Sequence, residues 1–146
     1  MINKYFLEEP NILDLSKEIF NAVVDENLKI ETRFELISKK IEDAETINFI
    51  LADGLGFSNL QSTDSYLNEH INNVVNTTFP SSTNVALTTI AMQANPIDHG
   101  VFSYYMYDKL KYGLINALNW NSENKNLLLS EYFNNQSSIW LSLIHI

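Results

Sequence analysis

The feature that most constrains the fold is the apolar run Ile47–Ala52 (INFILA), interrupted only by Asn48 and closed by the turn pair Asp53-Gly54. Such a run has no polar face to give to water, so it reads as a strand buried on both sides, the kind found in parallel sheets covered by helices. Helical patterns precede it. Residues 11–26 set Ile12, Leu15, Ile19, Phe20 and Val23 on one face behind an Asn11 cap, and residues 33–43 repeat the period with Phe34, Ile37 and Ile41. Both read as surface helices laid on a larger body, an α/β arrangement.

After Gly56 the pattern predicts a helix over residues 57–70 and a polar strand over Asn73–Thr78, broken by Pro80. Residues 84–93 (NVALTTIAMQ) are small and mostly apolar and read as a buried helix ending near Asn95-Pro96. Extended segments are expected over 102–110 and 114–119 around Gly113, with residues 121–126 as loop. The aromatics crowded there, Phe102, Tyr104, Tyr105, Tyr107 and Tyr112, read as packing residues.

Charge narrows the partners. Eighteen acidic residues against nine basic ones give a net charge of −9, which repels nucleic-acid polymers and anionic membrane surfaces. It does not repel a phosphate held through a bound metal, because the ion dominates the local field. The chain has no cysteine, which removes disulfides, thiolate clusters and cysteine nucleophiles. No stretch approaches the length of a membrane span and no secretory signal opens the chain, so a cytoplasmic location is expected.

Three places could carry chemistry. Asp53 follows the INFILA strand, and ligands gather at the carboxyl ends of strands in open parallel sheets. Its carboxylate suits zinc, magnesium or manganese, although Asp-Gly also makes an ordinary turn. In Thr78–Thr89 (TFPSSTNVALTT), the hydroxyls of Ser81, Ser82 and Thr83 fall where a helix begins. One of them could cap that helix, or could attack phosphorus if ionised beside a metal. In Pro96–Gly100 (PIDHG), His99 is a ligand, an acid–base group or a brace holding a turn, the brace being favoured. His70 reads as solvated.

Taken in order, DGLG after a strand, then FPSSTNVALTTIAMQANPIDHG and an aromatic strand, the chain from Ile47 to Trp120 resembles the alkaline phosphatase superfamily, in particular its type I phosphodiesterase/nucleotide pyrophosphatase branch. The resemblance implies an α/β/α sandwich with a mostly parallel central sheet, of which this chain is a truncated N-terminal part. It implies two divalent metal ions, usually zinc, with Asp53 binding one of them. It makes Thr83 the nucleophile, forming a covalent phospho-threonine and touching the metal, with Gly54, Pro80 and His99 as structural neighbours. The substrate implied is a small phosphate ester, monoester or diester.

The chain departs from that pattern at identifiable places. Met92-Gln93 stands where such helices commonly carry Thr-Gly, and Phe102-Ser103-Tyr104-Tyr105 where nucleotide-cleaving members place an Asn. The remaining Asp and His ligands of such enzymes lie well beyond residue 140. Leu141–Ile146 (LSLIHI) matches a translation of CTG TCT CTT ATA CAC ATC, a transposon-end sequencing adapter. The expectation is therefore that residues 1–140 are an incomplete, inactive and aggregation-prone portion of a catalytic domain and that 141–146 are a foreign tail. The alternative is a non-catalytic α/β module in which Asp53 is a turn residue and Thr83 a helix cap.

Overall fold

The computed structural model describes residues 8–123. Over that range the chain is a small α/β unit of six short α-helices and one three-stranded sheet. The first helix, α1 (Ile12–Val23), begins with a full capping box. Asn11 Oδ1 accepts from the Leu13 N–H at 2.9 Å and the Asp14 N–H at 3.4 Å, while Asp14 Oδ2 accepts from the Asn11 N–H at 2.9 Å. Such reciprocal pairing satisfies donors that a helix start otherwise leaves open.

What α1 buries differs from its apolar stripe. Asp14, Ser16 and Glu18 are buried with Leu13, whereas Ile12, Leu15, Ile19 and Phe20 are half-buried and Val23 is exposed. The reason is that the following loop binds the polar side chains. Arg33 donates from Nε to Asp14 Oδ1 at 2.8 Å and from a terminal nitrogen to Oδ2 at 2.6 Å, a bidentate pair. That hydrogen bond, partly opposed by desolvation, raises the Arg33 pKa above its ordinary value.

Glu18, 2% exposed, receives three backbone amides on its carboxylate: Leu36 at 2.6 Å, Ile37 at 2.7 Å and Ser38 at 2.8 Å. The Ser38 hydroxyl adds a fourth donor at 3.0 Å. This corrects the helix expected over 33–43. Amides drawn onto a carboxylate from another helix cannot bond their own upstream carbonyls, and only the single turn α2 (Ser38–Ile41) remains helical.

The strand expected over Ile47–Ala52 is also corrected. The segment carries no regular secondary structure, and Phe49, Ile50 and Leu51 are exposed, Ile50 at 86%. A doubly buried strand needs a paired neighbour on each edge and a layer over each face. Among the described residues nothing pairs with this run.

The helix expected over 57–70 is two short ones, α3 (Phe57–Gln61) and α4 (Tyr66–Glu69). Hydroxyls divide them: Ser62 Oγ donates to Asn59 O at 2.7 Å and Thr63 Oγ1 to Leu60 O at 2.8 Å, ending α3, while Ser65 Oγ accepts the Leu67 N–H at 3.3 Å and starts α4. The strand expected over 73–78 contracts to one parallel bridge between Asn11 and Asn76.

Helix α5 (Thr83–Met92) falls where the sequence predicts it and lies against α1. It stops at Gln93, which takes a left-handed conformation with φ of 53°. The Gln93 Nε2 group donates to Ile90 O at 2.8 Å and to Ser16 Oγ of α1 at 3.2 Å, so the side chain both closes α5 and ties it to α1. Helix α6 (Pro96–His99) follows with proline in its first turn.

The antiparallel hairpin β1 (Tyr105–Asp108) and β2 (Gly113–Asn116) pairs Tyr105 with Asn116 and Asp108 with Gly113. A short β3 (Asn121–Ser122) adds to β2 within the stretch read as loop. Val85, Val101 and Ala117 form one buried cluster, Tyr112 and Ile115 another, both touched by Met106 and Trp120. Of the aromatics read as packing, only Tyr112 is buried; Phe102, Tyr104, Tyr105 and Tyr107 are exposed. Among the described residues no helix is long and apolar enough to cross a membrane. Residues 124–146, including the suspected tail, lie outside the described residues.

Glu18→Ala should lower unfolding free energy by about 3 kcal/mol, because three half-buried amides lose their acceptor together. Urea unfolding checks this; a midpoint unchanged from the parent chain would refute the role of the carboxylate.

Candidate functional site

Asp53 and Thr83, separated by thirty residues in sequence, meet at the start of α5. Gly54 takes φ of +72°, a left-handed value that glycine adopts at no steric cost, and this turns the chain directly after Asp53. The Phe79–Pro80 peptide is cis, and Thr78 Oγ1 donates to Pro80 O at 2.8 Å just before α5.

The Thr83 hydroxyl points at the Asp53 carboxylate, 3.4 Å from Oδ1 and 3.3 Å from Oδ2. Good O–H···O bonds run from about 2.5 to 3.0 Å, so this contact is long for a hydrogen bond. Two oxygens held on one tetrahedral zinc, each at 2.0–2.2 Å, would stand about 3.3–3.6 Å apart. The observed separation therefore suits two ligands of a shared cation. Asp53 is exposed and has no other partner among the described residues, and Thr83 is half-buried.

The pair is only part of a cation site. Among the described residues no group of three or more His, Cys, Asp or Glu side chains gathers to hold a metal ion. One carboxylate and one hydroxyl fall short of the three protein ligands usual for catalytic zinc. What the two groups can do is present an alcohol oxygen and an anionic oxygen to the same point in space.

None of the three clustered hydroxyls caps α5. Ser82 occupies the N-cap position, yet its side chain accepts no helix amide; its hydroxyl donates to Asn84 Oδ1 at 2.9 Å. Thr83 is the first helical residue, which corrects the reading of it as a cap. Asn84 is 3% exposed, and its Nδ2 donates to Ser103 O at 2.7 Å, fastening the start of α5 to the chain that enters β1. Sequence reasoning passed over Asn84. Its signal was an asparagine beside the candidate nucleophile in an otherwise small and apolar helix.

His99 is buried and contacted on both ring nitrogens. It is 3% exposed; its Nδ1 accepts the Val101 N–H at 3.1 Å, and so the proton lies on Nε2, which faces Thr89 Oγ1 at 3.0 Å. Burial pushes the imidazole down to about 4, with nearby Asp98 opposing. His70 lies exposed at the end of α4, its ring stacked on Tyr66 at 4.1 Å between centroids. His99 and His70 both stand outside the described contacts of Asp53 and Thr83.

The His99 shift gives a signed expectation. The folded value near 4 lies below the ordinary 6.5, so the unfolded chain binds the extra proton first as pH falls. The contribution is complete above pH 6.5 and is lost between 6.5 and 4, amounting to about 3 kcal/mol. His99→Gln should flatten the part of this slope between pH 6.5 and 5, above the range where carboxylates titrate. A stability profile equally steep in the variant would contradict the assignment.

Comparison with protein-family models, with curated proteins and with solved structures found no match.

Proposed function

We propose that these residues belong to a metal-dependent phosphoesterase of the alkaline-phosphatase type, related most to the phosphodiesterase/nucleotide pyrophosphatase branch, in which Thr83 is the nucleophile. The observation that carries this reading is the 3.3–3.4 Å approach of the Thr83 hydroxyl to both oxygens of Asp53. The order of motifs from DGLG to PIDHG supports it independently.

Asp53 and Thr83 would be the part of this chain that holds one of two divalent ions, which the resemblance makes zinc. When bound, such an ion supplies Lewis acidity that lowers the hydroxyl pKa and offsets negative charge. The Thr83 hydroxyl would give its proton to solvent and attack phosphorus in line with the leaving oxygen, which takes up a proton and departs as an alcohol; water then cleaves the phospho-threonine ester, releasing the phosphate and restoring the hydroxyl. The start of α5, which no side chain caps, directs its first amides and positive dipole end toward the phosphoryl oxygens. Asn84 and His99 keep α5 in register with the loops on either side.

On this reading residues 1–140 are the N-terminal portion of a larger α/β/α sandwich whose central sheet is mostly parallel. The other metal ligands would come from sequence beyond residue 140. The substrate is a small phosphate ester. A second reading, a non-catalytic module, draws on the left-handed Gly54, which makes Asp53-Gly54 a sound turn whatever else Asp53 does.

The two readings separate experimentally in the complete open reading frame containing these residues. Thr83→Ala should reduce hydrolysis of an aryl phosphate ester by at least about a thousandfold while the protein remains folded. Asp53→Asn should remove one equivalent of bound metal, read by elemental analysis after dialysis. Turnover that survives Thr83→Ala, or undiminished metal in Asp53→Asn, would favour the module. The 146-residue chain itself should show no turnover.

A further inference from the structure

Asn84 occupies an unusual place. It is buried at the start of α5, beside an exposed Ser81, a half-buried Ser82 and a half-buried Thr83. Its carboxamide is used on both sides: Oδ1 accepts the Ser82 hydroxyl at 2.9 Å, and Nδ2 donates to Ser103 O at 2.7 Å. A serine at an N-cap position ordinarily turns its oxygen toward the amide two or three residues on. Asn11 does so for α1 and Ser65 for α4, whereas Asn95 at the start of α6 does not. At α5 the hydroxyl is drawn off by Asn84, and the cap bond is absent.

We propose that Asn84 is a positioning residue: by holding the Ser82 hydroxyl away from the helix amides and anchoring the turn to Ser103, it keeps the start of α5 uncapped and leaves Thr83 as the hydroxyl presented to Asp53. The usefulness of this arrangement rests on the phosphoryl-transfer reading; the arrangement itself does not. Ser82 and Thr83 are adjacent hydroxyls on the same turn, and a chain without the Asn84 bridge would have Ser82 oxygen lying over the amides that a phosphoryl group would otherwise approach. The Asn84 carboxamide thus sorts two chemically similar alcohols into one tied to Asn84 and one facing Asp53.

Amide hydrogen exchange of the 146-residue chain, resolved by residue, tests this. In Asn84→Ala the released Ser82 should swing back to cap the helix, slowing exchange at Val85 and at the position 84 amide by about tenfold, the effect of one capping bond. In Ser82→Ala/Asn84→Ala no cap can form, and exchange should return to the parent rate. Asn84→Asp retains the acceptor for Ser82 and loses the donor to Ser103, so exchange at Val85 should stay at the parent rate.

A residue that merely stabilised the fold would give faster exchange in every one of these variants. Unchanged or faster exchange at Val85 in Asn84→Ala, or slower exchange in Asn84→Asp, overturns the proposal. Failure of the phosphoryl-transfer reading would be seen instead as turnover persisting in Thr83→Ala, and the exchange pattern would stand regardless.

Discussion

The arrangement depends on α5 being fastened at both ends by buried polar contacts. At its start, Asn84 reaches Ser103 O; near its end, Thr89 meets His99, whose other ring nitrogen takes the Val101 amide. Between these ties Val85 packs with Val101 and Ala117. The helix is short and its own propensity is modest, with several β-branched residues, so tertiary fastening fixes where its first residue lies. Because Thr83 is that first residue, any rotation of α5 would carry its hydroxyl away from Asp53.

A second buried polar centre organises the N-terminal half. Asp14 and Glu18, one turn apart on α1, each collect donors from the loop between residues 33 and 38. Burying carboxylates is costly unless every lone pair finds a donor, and here the donors are a guanidinium and a row of backbone amides. The loop is therefore shaped by the side chains it must satisfy. Hydrophobic periodicity is blind to this, which is why residues 33–43 read as a helix from Phe34, Ile37 and Ile41 while only Ser38–Ile41 adopts one.

The legible parts of the fold were those decided locally. The Asn11 capping box, the small-residue helix over 83–92 and the Gly113 hairpin all follow from neighbours within a few positions. The illegible parts were decided by partners distant in sequence, as with the loop at residues 33–38, or departed from composition altogether, as with Ile47–Ala52, which is apolar and yet exposed. The candidate site divides the same way. Asp53, Thr83 and His99 stood out as candidates through residue type and the order of motifs along the chain. The role of Asn84 was not, since nothing in a lone asparagine tells whether its amide will bridge two other segments.

Gln93 shows how one backbone demand can be met by two different residues. The left-handed turn that ends α5 is the sort of corner glycine usually fills, yet here a long amide fills it, and its Nε2 group reaches Ile90 and Ser16. A search pattern written around glycine at that corner would discard any chain that makes the same left-handed turn with another residue, as this one does. Kinship among proteins built on such helices is better sought in torsion angles than in letters.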